Sequence, residues 1–246
     1  MKEVMQHAKR FNLFQIFMVL LTVGILSACN KEEEQIATVT EEDAVEVVEN
    51  ALKVESEGLV VEVEDAALVT EEYVEKTLPP CGASFDSTVV RNISNAYITA
   101  DYTSNWNWTI ICNNQNIPAT LNFNRTTQGQ YETTRLLSDD SAAGGWTIDN
   151  IILGDTYVIN GVYSRQGNQE SKVRNRLTFT SSVEFDLSDL VVDKDIYRIL
   201  SGTATFTISG TSSGGGSFQY SGEIIFLGDG MATITLNGHT YTVDLY

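Results

Sequence analysis

The feature that most constrains the fold is an alternation of apolar and polar residues from about residue 83 to residue 246. Segments such as AYITADYT, WNWTIIC, ATLNFNRTT and GTATFTISG change character at every second position, as strands with one buried face do. GDG at 228–230 and NGH at 237–239 are hairpin-type turn sequences, and the glycine-rich run SGTSSGGGS at 209–217 predicts a longer hairpin loop. We therefore predict a mainly all-β fold with roughly ten antiparallel strands over residues 78–246. Either a β-sandwich or a barrel-like meander satisfies this pattern.

A short acidic helical segment is predicted before the strands, over residues 41–77. In TEEDAVEVVENALK, Thr40 and Asp43 form a capping-box-like pair, and the apolar residues follow helical spacing. The next stretch is ambiguous, because Val61 and Val63 alternate with glutamates as in a strand. We favour a helical hairpin or a helix that docks on the β-domain, with a loose acidic stalk as the alternative. Two prolines and a glycine in LPPCG separate this segment from the strands.

The N-terminal residues have the pattern of an export signal. Lys2, Lys9 and Arg10 precede an apolar run that ends abruptly at residues 26–29, and the run is too short for a comfortable membrane span. The sequence Leu-Ser-Ala-Cys at 26–29 resembles the lipobox of bacterial lipoproteins. That resemblance implies a signal peptide over 1–28, lipidation of Cys29, and a lipidated tether over 29–40. The alternative is a transmembrane anchor with an incidental cysteine.

The residues after Cys29 refine the predicted location. NKEEEQ resembles the export signal of Bacteroidetes-type lipoproteins, which implies an outer-membrane lipid anchor and display on the cell surface. The alternative is a solvated run of charges. Acidic side chains dominate residues 31–76, which hold 16 acidic and 3 basic residues within a chain of net charge -18. Such a charge repels polyanions, so nucleic acid is not expected as a partner.

Two cysteines remain once Cys29 is assigned to lipid. Cys81 and Cys112 form an even pair in an oxidising compartment, which predicts a disulfide between the start of the β-domain and an early strand. Free thiols or a metal site are the alternatives. Because only one histidine, His239, lies outside the predicted signal, no metal site and no cofactor are predicted.

Aromatic residues supply the candidate ligand-binding site. Tyr97, Tyr102, Trp106 and Trp108 cluster within twelve residues, interleaved with amides and an aspartate. In a strand, both tryptophans point to the same side. A core role is the preferred interpretation, because one face of most strands must be buried, and an exposed pair that stacks on sugar rings is the alternative. The basic stretch YSRQGNQESKVRNR at 163–176 is interpreted as an exposed hairpin loop, with contact to an acidic surface or anionic lipid as the alternative.

No catalytic motif was found, and the sequence favours a non-catalytic protein over an enzyme. HExxH, CxxC and a phosphate-binding loop are all missing. The acidic pair Asp139 and Asp140 could form a calcium site, although solvation of strands and turns is the preferred interpretation. Neighbouring carboxylates do not by themselves establish the geometry of a glycosidase.

The mature chain is similar to uncharacterised surface lipoproteins of Bacteroidetes. The likeness lies in the acidic lead EEDAVEVVENAL, in CG and IIC, and in the closing pattern from GTATFTISG to TYTVDL. It implies a surface-anchored β-domain and brings no activity or binding residue with it. We expect a non-catalytic domain that binds a ligand, a glycan or a surface protein, or that builds the envelope. A polysaccharide hydrolase and a lipocalin-like carrier of an apolar ligand are the alternatives.

Overall fold

The computed structural model describes residues 38–75, 79–174 and 176–246. The predicted signal peptide, Cys29 and most of the predicted tether lie outside the described residues. Within them, the chain is mainly antiparallel β-structure preceded by a short helical segment, as predicted.

Two helices and one irregular turn of helix form the helical segment. Helix α1 spans Glu41–Leu52, helix α2 spans Leu59–Val69, and a π-helix continues from Thr70 to Glu75. The predicted capping box is present, because the Thr40 hydroxyl accepts from the Asp43 amide at 3.2 Å and the Asp43 carboxylate accepts from the Thr40 amide. Among the described residues, no helix has the length and apolar character needed to cross a membrane.

Ten strands follow, and each pairs antiparallel with the next in the chain. They are β1 (Ser84–Ser94), β2 (Ile98–Cys112), β3 (Pro118–Thr133), β4 (Leu136–Asp149), β5 (Thr156–Ser171), β6 (Thr178–Asp193), β7 (Ile199–Ser212), β8 (Ser217–Gly228), β9 (Met231–Leu236) and β10 (His239–Asp244). The order in the sheet is the order in the sequence, so the meander is the correct alternative and the sandwich is not.

The helical segment packs inside this sheet rather than forming a loose stalk. Ala44, Val48, Leu52, Val60 and Val63 are completely buried, and both helices are buried on nearly every side. Partners of the segment lie on strands from β1 to β10, so the sheet curves around it. We call the face of the sheet toward the helices the inner face, and the opposite face the outer face.

The helical segment also links the two edge strands of the sheet. Arg91 on β1 donates to Glu57 and to Asp65, each at 2.7 Å. At the other edge, Tyr241 on β10 donates its hydroxyl to Glu41 at 2.9 Å. Ion pairs and hydrogen bonds to the helices therefore connect β1 and β10 through the segment.

The predicted disulfide is confirmed. Cys81 and Cys112 are bonded, with Cα atoms 5.6 Å apart and 31 residues between them in sequence. The bond joins the residue that precedes β1 to the last residue of β2. It therefore fixes the start of the edge strand to its neighbour, as the sequence indicated.

Two loop predictions were too long. The stretch 163–176 is not an exposed loop, because β5 continues to Ser171 and only residues 172–177 connect it to β6. Arg165 within it is 5 % exposed. Likewise, the glycine-rich connection predicted at 209–217 shrinks to residues 213–216, because β7 extends to Ser212. In both places the alternation continues through polar residues, which sequence inspection took for loop.

Candidate binding surface

Charged side chains are sorted by sign between the two faces of the sheet. The three arginines within the ten described strands are Arg91, Arg125 and Arg165, and all three point inward. No strand position on the outer face carries lysine or arginine. Exposed carboxylates alternate with inward residues on the outer face, at Asp86, Asp101, Asp139, Glu170, Glu184, Asp186 and Glu223.

The arginines of the inner face hold the acidic helices. Arg125 is 2 % exposed and forms ion pairs with Glu57 and Asp65, and its Nε lies 3.7 Å from Glu62. Burial raises the pKa of Glu62 to about 8, although Arg125 opposes the shift. One oxygen of Glu57 and one of Glu62 are buried without a hydrogen-bond partner. This cluster closes the interface between α2 and the sheet.

A second buried cluster centres on Arg165 and Asp140. Arg165 donates to Asp140 at 3.0 Å and to the carbonyl of Asn50 in α1 at 3.2 Å. Asp140 also accepts from Ser138 at 2.7 Å and from the Tyr102 hydroxyl at 3.1 Å. The guanidinium lies over the Tyr102 and Tyr131 rings. Each polar group of the cluster is hydrogen-bonded to another group of the cluster. The network therefore holds this part of the sheet in place from the inner side.

A row of inward positions with three glycines crosses the sheet at this level. The register aligns the row from β2 to β7 as Tyr102, Gly129, Asp140, Gly167, Ser181 and Gly210. A Cβ atom on Gly129 would lie 2.1 Å from the Asp101 carbonyl oxygen, and one on Gly167 would lie 2.5 Å from the Asp139 carbonyl oxygen. The close approach of the strands therefore requires glycine at both positions.

The outer face has an open polar groove of about 630 Å³ over this glycine row. Backbone of the row forms its floor. Outward side chains on either side form its walls and carry amides, hydroxyls and one exposed carboxylate: Gln128, Ser141, Gln166, Ser182 and Ser209 on one side, and Asp139, Asn168 and Thr180 on the other. This wall composition suits hydrogen bonding to a polar ligand.

The predicted aromatic cluster is not an exposed surface. Trp106 and Trp108 share a face, as predicted, but it is the inner face. Trp108 and Tyr102 are 4 % and 3 % exposed, and Trp106 is half-buried against Phe123. The tryptophan pair therefore packs with the core, which was the preferred interpretation, and does not form a sugar-stacking surface. Tyr97 alone is well exposed, in the β1–β2 turn, and a ligand contact there stays a prediction.

The acidic pair considered for a calcium site does not share one side of the sheet. Asp139 and Asp140 point to opposite faces of β4, so they cannot share a calcium ion. In the described ranges, no group of three or more histidines, cysteines and acids is arranged to hold a metal ion. His239 contacts Glu41 at 2.7 Å through Nδ1 and thereby joins the β9–β10 turn to α1.

Sequence inspection missed both the groove and the buried clusters. A signal was present, because Arg125 has the same alternation parity as Leu121 and Phe123, and Arg165 has the parity of Tyr163. An arginine at an apolar position of a strand predicts a buried acidic partner. The acidic segment at 41–72 is the natural source of that partner.

Comparison of the chain with protein-family models, with curated proteins and with solved structures finds no match. The groove and the two buried clusters therefore have to be interpreted from their own chemistry.

Proposed function

We propose that this protein is a surface-anchored lipoprotein whose outer face binds a glycan without cleaving it. The observation that carries the proposal is the groove across β3–β7, with amide and hydroxyl side chains as its walls and strand backbone as its floor. Amide and hydroxyl groups each donate and accept hydrogen bonds, so they complement the hydroxyl groups of a sugar. The buried Arg165–Asp140 cluster supports the floor, and a preformed site loses little entropy on binding.

Glycan binding is tested with a glycan array probed by the full-length protein purified in detergent. Gln166→Ala and Asn168→Ala each remove an amide from the groove, and we expect each to weaken binding about tenfold, which corresponds to about 1.4 kcal/mol. The matched control is Asn122→Ala, because Asn122 is an exposed amide on the outer face of β3 outside the residues that line the groove. Equal binding by all three variants would refute a role for the groove.

The lipid anchor is supported by the sequence around Cys29. Acyl chains on this cysteine would contribute about 0.8 kcal/mol for each buried methylene, which suffices for stable attachment. We expect Cys29→Ala to release the protein from the membrane fraction. Cys81 and Cys112 are unchanged in this variant, so the disulfide between them should still form. Surface display is then tested by protease added to whole cells. Full retention of the Cys29→Ala protein in membranes would argue for a transmembrane anchor.

A hydrolase is the second candidate, because two exposed carboxylates share a depression beside the groove. Asp101 and Asp139 line a space of about 310 Å³, with Gln130 between them on the intervening strand. Two strand spacings separate them by about 10 Å, near the range for inverting glycosidases. Binding without cleavage is favoured, because neither carboxylate is buried against an apolar wall, as a general acid usually is.

The two functions are separated by an assay for release of reducing ends from any glycan that the array identifies. A binding protein gives no release above the blank. Release by the wild-type protein that is lost in Asp101→Asn and Asp139→Asn would establish the hydrolase instead. The carrier alternative has less support, because the helical segment fills the space along the inner face that an apolar ligand would need.

A further inference from the structure

We infer that the groove selects an extended, electrically neutral oligosaccharide that runs across the strands, and that the outer face rejects anionic glycans. This inference rests on the proposed function, and it adds the charge, the direction and the length of the ligand. Three observations carry it, namely the sorting of charge between the faces, the direction of the groove, and the chemistry of its walls.

The sorting of charge determines which ligands the outer face tolerates. The strand arginines form ion pairs with carboxylates on the inner side. Arg125 pairs with Glu57 and Asp65, and Arg165 pairs with Asp140. They cannot turn outward without leaving buried carboxylates unpaired. Outward strand positions contribute only acidic charge, including Asp139 in the groove itself. A sulfated or uronic-acid chain in the groove would therefore meet repulsion with no cation to offset it.

Three of the four basic residues in the β3–β4 and β5–β6 turns already have acidic partners, and the fourth, Arg176, is exposed in the β5–β6 turn. Lys172 pairs with Glu132, and Arg174 pairs with Asp43 and Glu46 of α1. Arg135 in the β3–β4 turn also pairs with Glu46. These ion pairs hold the helical segment and the turns together, so recruiting one of these side chains to an anionic ligand would break an existing contact.

The direction and length of the groove follow from the register. The lining residues belong to five consecutive strands, β3 to β7, and the glycine row on the floor runs perpendicular to the strand axes. Four spacings of about 4.8 Å give a length of about 19 Å. A single sugar ring fills only part of this length, whereas an extended chain of several rings matches it.

Wall chemistry favours a polyhydroxyl ligand over a basic peptide. Primary amides and hydroxyls make up the walls, and Asp139 is the one carboxylate whose side chain faces the groove. A site for a basic peptide would need several carboxylates facing the ligand. Asp139 accepts hydrogen bonds only, so it can bind a sugar hydroxyl while it repels anions.

The test compares neutral glucan oligosaccharides of increasing length with uronic-acid oligosaccharides of matched length, by calorimetry with the full-length protein. We expect affinity for the neutral series to rise with length and then level off, and to change little with salt, because no ion pair forms. Uronic-acid oligosaccharides should bind at least tenfold more weakly. Asp139→Lys should narrow this difference by about tenfold, whereas Asp139→Asn should narrow it less.

The outcomes distinguish the inference from the proposed function. If the wild-type protein binds no glycan of either series or on the array, the proposed function fails. If it binds uronic-acid chains as well as neutral ones, or if affinity does not depend on length, the inference fails and glycan binding stands. Salt-sensitive binding of an oligolysine peptide, with no neutral glycan bound, would instead identify a basic protein partner. Glu223→Lys, an equal charge change outside the groove, is the matched control.

Discussion

The inner and outer faces of the same sheet follow one alternation and yet have opposite chemistry. The inner face combines apolar side chains with three buried or half-buried arginines, and the outer face combines hydroxyls, amides and carboxylates with some exposed apolar side chains such as Val162 and Leu227. Each inner arginine has a carboxylate partner, so its desolvation is offset by pairing. Outer carboxylates remain in water and need no partner. Carboxylates therefore have a structural role on the inner face and are available for binding on the outer face.

Removing Arg125, the central arginine of the inner face, should have the largest effect on stability. Arg125→Met preserves much of the apolar stem but removes the cation that Glu57, Glu62 and Asp65 share, so that Glu57 and Asp65 keep only Arg91. We expect a loss of about 3–5 kcal/mol in the free energy of unfolding, measured by urea denaturation. The control is Arg135→Met, because Arg135 is 52 % exposed in its pair with Glu46 and should cost less than about 1 kcal/mol. Similar losses in both variants would contradict a special role for burial.

Acidity of a buried inner carboxylate gives the next largest effect. Burial raises the pKa of Glu62 from 4.5 to about 8, with Arg125, Glu57 and Arg165 as the charged neighbours that also act on it. Between these values the folded state holds a proton that the unfolded state has released. The free energy of unfolding should therefore fall as pH rises from about 4.5 to about 8, by at most about 1.4 kcal/mol per pH unit.

Two variants isolate that contribution in denaturation curves at pH 5 and pH 8. Glu62→Gln removes the titrating group and should flatten the dependence on pH. Glu184→Gln removes an exposed carboxylate of the outer face and should leave the dependence as in the wild-type protein. A flat profile in the wild-type protein would show that Arg125 keeps Glu62 ionised.

Substitution of one glycine on each face should give the smallest difference in stability. Gly129→Ala places a Cβ atom against the backbone of β2 and the ring of Tyr102, and we expect it to cost about 1–3 kcal/mol. On the outer face of β4, a Cβ atom on Gly145 would meet only Asn124, at 3.5 Å. Gly145→Ala should therefore be neutral or stabilise by up to about 1 kcal/mol. Thermal unfolding of the two variants measures the difference.

Sequence patterns were sufficient for the architecture and for some local details. Alternation predicted the antiparallel strands, Thr40 and Asp43 predicted the start of α1, and the even cysteine count predicted the bond between Cys81 and Cys112. All of these depend on residues that are close in sequence, or on a simple count. The period of two is itself a local property, so strands can be recognised without knowledge of their neighbours.

Identity of the buried face could not be obtained in the same way. Trp106 and Trp108 have the same parity, but parity does not say which side the helices cover. Asp139 and Asp140 look alike in sequence, although one faces solvent and the other binds Arg165. The groove depends on the register of Gly129, Gly167 and Gly210, which lie on three different strands. This alignment depends on how the strands pair in the folded protein, so it cannot be read from one sequence.

The way the helical segment links the two edge strands has a consequence for the order of folding. Glu41 contacts Tyr241 across 200 residues of chain, and Glu64 contacts Tyr246 across 182. The segment is synthesised first, yet its last partners are synthesised at the other end of the chain. Contacts of such long range form late and slow folding. We therefore expect the acidic helices to stay solvated during synthesis, and the final hairpin to be the step that encloses them.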